Sequence, residues 1–172
     1  VAVAERILMG RPLVDGYGAL ATCSQAARRS TYDRVGGFDP AFRRSEDTDL
    51  SIRLALADAH FVGVAEPLVR QTLTLASDKT LTAEREAMLA LLDKHQAVFD
   101  SVRAHAFARR WTALKFDWLA GRRRRFATGL LALALRRPVE TMKRLAYALP
   151  MSASRAGVRD LHRPGPTPGE AR

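Results

Sequence analysis

The stretch GGFDPAFRRSEDTDLSIRL, residues 36–54, constrains the fold most, because it joins a glycine turn to an acidic cluster and then to an apolar helical run. Gly36 and Gly37 tolerate the left-handed backbone that ends a helix. Ser45 is of a residue type that caps the start of the next helix through its side-chain oxygen. Three carboxylates follow in the predicted first turn, where the helix dipole favours negative charge: Glu46, Asp47 and Asp49.

The residues on either side of this stretch predict a mixed α/β layer. Residues 19–24 indicate a short buried strand or its end, and residues 25–35 place apolar side chains on one helical stripe. Phe38 is expected to return to the core after the glycine turn. Residues 61–69 predict a pair of strands bent at a central Glu-Pro. Strands and a helix in this order are typical of an α/β architecture.

From residue 79 onward the pattern becomes helical. The segment 81–111 contains no Gly or Pro and carries a regular apolar stripe, with a helix start expected near Thr82. Further helices are predicted up to residue 149, and the remaining tail is expected to be disordered because Pro, Gly and Ser dominate it. We therefore divide the chain into an α/β part, a basic helical extension and a disordered tail: residues 1–78, 79–149 and 150–172.

The net charge of +10 resides in the C-terminal part of the chain. Residues 101–172 contain 16 Lys or Arg against 4 Asp or Glu, whereas residues 1–100 contain 12 basic and 14 acidic side chains. Four consecutive arginines, Arg122–Arg125, lie between helices that carry aromatic residues. Three interpretations stay open: a plain solvated face, a surface that docks on an anionic membrane, and non-specific nucleic-acid binding. Since no nucleic-acid-binding motif accompanies the charge, nucleic acid is the least favoured of the three.

The composition also excludes several classes of protein. The single cysteine, Cys23, excludes an internal disulfide and a multi-cysteine zinc site. No stretch offers the ~20 uninterrupted apolar residues of a membrane-spanning helix, and the first residues lack the layout of a signal peptide. These features predict a cytoplasmic protein, with the inner face of the membrane as a candidate attachment surface.

Four short elements between residues 28 and 54 stand at a characteristic spacing: Arg28-Arg29, Gly36-Gly37-Phe38-Asp39, Glu46-Asp47-Thr48-Asp49-Leu50 and Arg53-Leu54. In type and spacing they resemble the acceptor-side half of family 2 glycosyltransferases, which are inverting enzymes of the GT-A fold. The match runs from Gly16 to about Val69 and departs at His60, where many members carry glycine. The resemblance implies an α/β fold, namely a partial GT-A (Rossmann-like) layer followed by an α-helical C-terminal extension.

The resemblance implies a hexosyltransferase-type reaction in cell-envelope or other glycan synthesis, in which a sugar passes with inversion from a nucleotide-sugar donor to an acceptor hydroxyl. A carboxylate must take the proton of that hydroxyl, and the resemblance assigns this role to Asp47. A positioned base of this kind contributes about 10² to 10⁴ in rate. Supporting roles toward donor or acceptor are implied for four residues: Glu46, Asp49, Arg29 and Arg53. Arg43, Arg44 and Arg53 are open to a second interpretation as ion-pair partners of the acids.

The nucleotide-binding half of that family, with its Asp-x-Asp element, has no counterpart in the 172 residues. The resemblance therefore implies a divalent metal, Mg²⁺ or Mn²⁺, whose ligands lie outside this chain, and it predicts that the chain alone is inactive. The implied partners are a nucleotide-sugar donor and a glycan or lipid-linked acceptor. The alternative is a non-catalytic binding module, in which the basic helices dock on an anionic membrane or on nucleic acid.

Overall fold

The computed structural model describes residues 1–11, 22–64, 68–69 and 80–147. Within these ranges the chain forms seven α-helices and no β-strand, so the predicted α/β fold with a partial GT-A layer is wrong for this part of the chain. The helices are α1 (Ala2–Met9), α2 (Arg29–Arg34), α3 (Glu46–Leu56), α4 (Leu81–Lys94), α5 (Val102–Leu119), α6 (Arg123–Arg136) and α7 (138–147). Short 3₁₀ turns occupy Thr22–Ser24 and Gln96–Val98.

The predicted strands fail because nothing in the described part of the chain pairs with them. Residues 22–24 coil into the first 3₁₀ turn, while residues 61–64 and 68–69 form no ladder. Their Val and Leu side chains are exposed, so none of the described helices covers them. Alternating β-branched residues indicate a strand only where a neighbour supplies the backbone hydrogen bonds. Residues 19–21 and 65–67 of the predicted strands lie outside the described residues.

One core joins helices from both sides of the boundary predicted after residue 78. α1 packs against α3, and α5 packs against both α4 and α6. The main apolar cluster consists of Ala4, Leu8, Ile52, Ala55, Leu91, Leu92, Phe99 and Ala108. The helical core therefore fixes the end of α4 relative to α3, which positions the site described below. The predicted disordered part, residues 150–172, lies outside the described residues.

The long apolar stripe predicted from residue 81 is divided into two capped helices. The Thr80 hydroxyl accepts a hydrogen bond from the Ala83 backbone N–H at 3.2 Å, so α4 begins slightly before the predicted start at Thr82. The Ser101 hydroxyl accepts from the Ala104 N–H at 3.1 Å and begins α5. Such side-chain caps satisfy backbone donors that the first helical turn leaves open.

α5 and α6 approach each other closely at Gly129. A side chain at this position would collide with Leu114, which is buried between the two helices together with Leu133 of α6. Any larger residue here would therefore force the Leu114 side chain to move. None of the described helices is both long enough and apolar enough to cross a membrane.

Candidate functional site

The predicted acidic cluster does form the first turn of α3, but the predicted cap does not. Glu46, Asp47 and Asp49 all lie in that turn. Ser45 precedes it with a left-handed backbone, φ 59°, and its side chain accepts no capping hydrogen bond. A capping residue needs an extended backbone to direct its oxygen at the helix N–H groups. The Ser45 hydroxyl instead points toward the sulfur of Met88, 4.0 Å away.

Asp49 is the centre of a buried polar cluster. Its carboxylate is fully buried, and Oδ2 accepts a hydrogen bond from Arg53 Nε at 2.8 Å. Oδ1 lies 2.7 Å from Lys94 Nζ and 2.8 Å from Nε2 of the buried His95. A carboxylate removed from water is tolerated only when paired and hydrogen-bonded in this way. The cluster therefore accounts for Asp49 as a structural anchor.

The same partners tie the anchor to the glycine turn. Lys94 Nζ also lies 2.6 Å from Oδ2 of Asp39, and its ammonium sits 4.9 Å from the centre of the Phe42 ring. Arg53 Nη1 donates to the Val35 carbonyl at 2.5 Å. Because Lys94 is the last residue of α4, these contacts hold the start of α3, the end of α4 and residues 35–42 as one unit.

Burial and hydrogen bonding act in opposite directions on Asp49. Burial alone would raise its pKa, but the hydrogen bonds from Lys94, Arg53 and His95 outweigh it and hold the pKa below the ordinary 3.8. Burial lowers the pKa of His95 below 6.5, against the attraction of the Asp49 carboxylate, and Lys94 and Arg53 add repulsion. His95 is therefore a neutral ring at pH 7, with its Nε2–H donating to Asp49.

The free energy of unfolding should fall in two steps as the pH is lowered. Since the pKa of His95 is lower in the folded state, the unfolded state takes up a proton first, and stability declines as the pH drops below 6.5 toward the folded value. The ion pairs of Asp49 contribute above pH 3.8, and that contribution is lost as the pH falls through the lower folded pKa. Urea unfolding between pH 7.5 and 4.5 should show the upper step, at up to about 1.4 kcal/mol per pH unit.

The matched variants for this measurement are His95→Gln and His60→Gln. His60 is exposed, so its replacement should leave the pH dependence of the unfolding midpoint unchanged. His95→Gln should abolish the upper step. A step that persists in His95→Gln would assign the proton uptake to another group.

Asp47 differs from Asp49 in its surroundings. It is only partly buried, and its Oδ1 accepts from the Thr48 N–H at 2.7 Å and from the Thr48 hydroxyl at 3.2 Å. Among the described residues, its other oxygen, Oδ2, has no hydrogen bond and no ion pair. One carboxylate oxygen is thus held within the first turn of α3, whereas no described residue binds the other.

The remaining predicted site residues are only partly brought together. Arg53 is an ion-pair partner of Asp49, which matches the second of its two interpretations, and Glu46 is partly buried in the same turn as Asp47. Arg29 is not part of the cluster: its side chain is 94% exposed and its Nε lies 3.7 Å from Oδ2 of Asp33 on the same helix.

The glycine turn forms a shallow depression beside the anchor. Gly36 and Gly37 both have positive φ, 77° and 66°, as predicted for the end of α2. The depression encloses about 280 Å³ and is lined by the turn together with Arg53 and Lys94. Phe38, which follows the left-handed turn and also lines this depression, is 47% exposed rather than buried. The prediction that Phe38 returns to the core is wrong.

A larger cavity of about 570 Å³ lies elsewhere, between α1, α5 and α7. Its charged lining is partly paired: Arg11 binds Glu5 at 3.0 Å and Asp100 at 2.9 Å, and Arg137 binds Glu140 at 3.0 Å. None of the predicted site residues lines it. We therefore assign the candidate site to the start of α3 and not to the larger cavity.

The described residues do not fit the divalent metal that the resemblance implies. They contain no group of three His, Cys, Asp or Glu side chains placed to hold an ion. Asp49, the most buried carboxylate, already gives both oxygens to cationic or hydrogen-bonding partners. Mg²⁺ and Mn²⁺ prefer several carboxylate or water oxygens, so no step at this site is assigned to a metal.

Sequence reasoning placed neither Lys94 nor His95 at this site. Both lie on α4 or directly after it, far along the chain from Asp49, so no local periodicity connects them. The one available signal was the Asp49–Arg53 pair at i, i+4 beside buried Leu50 and Ile52. Such a pair places a carboxylate at the edge of a core, where further donors are needed.

The arrangement provides a helix start anchored by Asp49, in which Asp47 has one carboxylate oxygen that no described residue binds. Chemically, this can accept a proton from a hydroxyl or orient a polar ligand. Comparison of the chain with protein-family models, with curated proteins and with solved structures finds no match.

Proposed function

We propose that residues 36–54 form the acceptor side of an inverting glycosyl-transfer site, with Asp47 as the general base. The proposal rests on this segment and its spacing, and it does not require a sheet. The observation that carries it is that two acids of the same helical turn differ in how they are paired. Asp49 is buried and fully paired, whereas Asp47 keeps one oxygen without a partner in the described part of the chain.

The proposed reaction is a single displacement. The acceptor hydroxyl oxygen forms a bond to the anomeric carbon as the bond from that carbon to the nucleotide diphosphate breaks. The hydroxyl proton passes to Oδ2 of Asp47, and the bonding electron pair leaves with the diphosphate. Because attack occurs opposite the leaving group, the anomeric configuration inverts. The resemblance implies that Mg²⁺ or Mn²⁺ would neutralise the charge on the diphosphate, held by ligands that lie outside this chain.

The anchor explains how Asp47 is kept in place. Asp49 fixes the start of α3 through contacts to α4, and the Thr48 N–H orients the Asp47 carboxylate from within the helix. Rigid placement of a reacting group lowers the barrier because its orientational entropy is lost during folding and not during reaction. The donor is a nucleotide sugar, the acceptor a glycan or lipid-linked hydroxyl, and the proposed location is the cytoplasm at the inner membrane face.

The proposal is tested with the longest natural protein that contains this chain. Incubation with a panel of nucleotide sugars and glycan or lipid-linked acceptors should yield a glycoside whose anomeric configuration, read by NMR, is opposite to that of the donor. A product with retained configuration would contradict the single displacement. Failure of every donor to transfer would favour the non-catalytic binding module.

A further inference from the structure

α6 carries apolar side chains on two opposite faces. Leu133 is buried against α5, and the Phe126 ring lies 5.0 Å from the ring of Trp118. Leu131 and Leu135, at i and i+4 on the other side of the helix, are 62% and 77% exposed. The inward leucine stabilises the helix packing, whereas the outward pair contributes nothing to the described core.

α7 repeats this arrangement. Thr141 is buried, while Val139 and Met142 are 59% and 66% exposed. Arg137, with a non-helical backbone, separates the two helices. We call Leu131, Leu135, Val139 and Met142 the outward apolar side chains. Single exposed apolar residues are ordinary, but here four of them fall within residues 131–142, on two helices joined at Arg137.

Arginines lie at both ends of α6, the helix that carries two of the outward apolar side chains. α6 starts with Arg123–Arg125, ends with Arg136 and contains no acidic residue. Arg123 stacks on the Trp118 ring at 3.6 Å, while the Arg124 and Arg125 guanidinium groups have no carboxylate partner in the described ranges. Positive charge in a first helical turn is opposed by the helix dipole. Helix stability therefore does not explain this cluster, whereas binding of an external anion would.

We propose that the outward side of α6 and α7 docks on the surface of an anionic lipid bilayer, with the outward apolar side chains inserted between headgroups and the arginines on lipid phosphates. Amphipathic helices with basic margins bind membranes by this combination. Nucleic acid would account for the arginines but not for the leucines. A second copy of the chain would cover the leucines but would also bring two arginine clusters together, which repel. The proposal is independent of the glycosyl-transfer reaction.

Vesicle co-sedimentation tests the proposal directly. The chain should sediment with vesicles of phosphatidylcholine that contain a minor fraction of phosphatidylserine, and it should stay in solution with pure phosphatidylcholine. The double variant Leu131→Gln/Leu135→Gln should weaken binding about tenfold or more, because two partly buried apolar side chains are lost. Arg124→Gln/Arg125→Gln should weaken it by roughly fivefold for each arginine removed.

The matched controls replace an exposed apolar side chain and two exposed arginines that lie outside α6 and α7. Val62→Gln replaces a side chain that is 76% exposed, and Arg28→Gln/Arg29→Gln removes two exposed charges from the region of α2. Both controls should bind vesicles like the wild type, and circular dichroism should show unchanged helix content in all variants.

Three results would overturn the proposal. The first is equal binding to neutral and anionic vesicles, or no binding to either kind of vesicle. The second is binding of a short DNA single strand that the two leucine substitutions leave unchanged, with no vesicle binding, which would assign the face to nucleic acid. The third is a dimer in light scattering that these substitutions dissociate, again without vesicle binding, which would assign the face to a second copy.

Discussion

Asp49→Ala is expected to lower the free energy of unfolding by about 3 to 5 kcal/mol, because it removes one partner from a buried charge cluster. The fully buried carboxylate satisfies Arg53, Lys94 and His95 at once. Without it, Arg53 loses its carboxylate partner, Lys94 keeps only Asp39, and the His95 imidazole loses its acceptor. The cavity left by the carboxylate adds to the cost, since the surrounding core relaxes only partly.

Urea unfolding of the wild type and three variants measures this effect. Asp49→Asn keeps the side-chain volume and removes the charge, so it should be destabilising but less so than Asp49→Ala. Glu46→Ala changes a partly buried acid in the same turn and should cost only about 0.3 to 1 kcal/mol, the contribution of one charge at a helix start. An Asp49→Ala effect no larger than that of Glu46→Ala would show that Asp49 is not an anchor.

Local features of residues 25–56 were predictable from sequence. A helix does form within the predicted range 25–35, but α2 covers only Arg29–Arg34, so the predicted start is wrong. Gly36 and Gly37 adopt the positive φ values expected after its end. The predicted helix after Ser45 is α3, with its three acids in the first turn and Leu50 and Leu54 buried. These features succeed because each depends on interactions within a few residues, such as helix periodicity, the dipole and the backbone freedom of glycine.

Features that depend on distant partners were not predictable. The β-branched residues of 61–64 indicated a strand, yet no neighbouring strand lies beside them in the ranges the structure describes. Ser45 had the right residue type for a cap but the wrong backbone conformation. The contact from Asp49 to His95 spans 46 positions, so its existence follows from how α3 and α4 pack and not from any local pattern.

Asp47→Asn is expected to reduce the rate of sugar transfer by about 10² to 10⁴, the contribution of a positioned general base. The amide oxygen can still accept from the Thr48 N–H, as Oδ1 does now at 2.7 Å, so the side chain keeps its place. The amide nitrogen cannot accept the acceptor proton. Because Asp47 is only partly buried, the free energy of unfolding should change by less than about 1 kcal/mol, as for other sites away from a core.

The most direct test of the division of roles within the acidic cluster is the initial rate of sugar transfer by Asp47→Asn in the longest natural protein that contains the chain. Glu46→Gln is the matched control, since it neutralises the neighbouring acid of the same turn. Both variants are first checked for wild-type unfolding midpoints. The account predicts a fall of at least about 100-fold for Asp47→Asn and a change of only a few fold for Glu46→Gln. Near-normal transfer by a folded Asp47→Asn variant would contradict it.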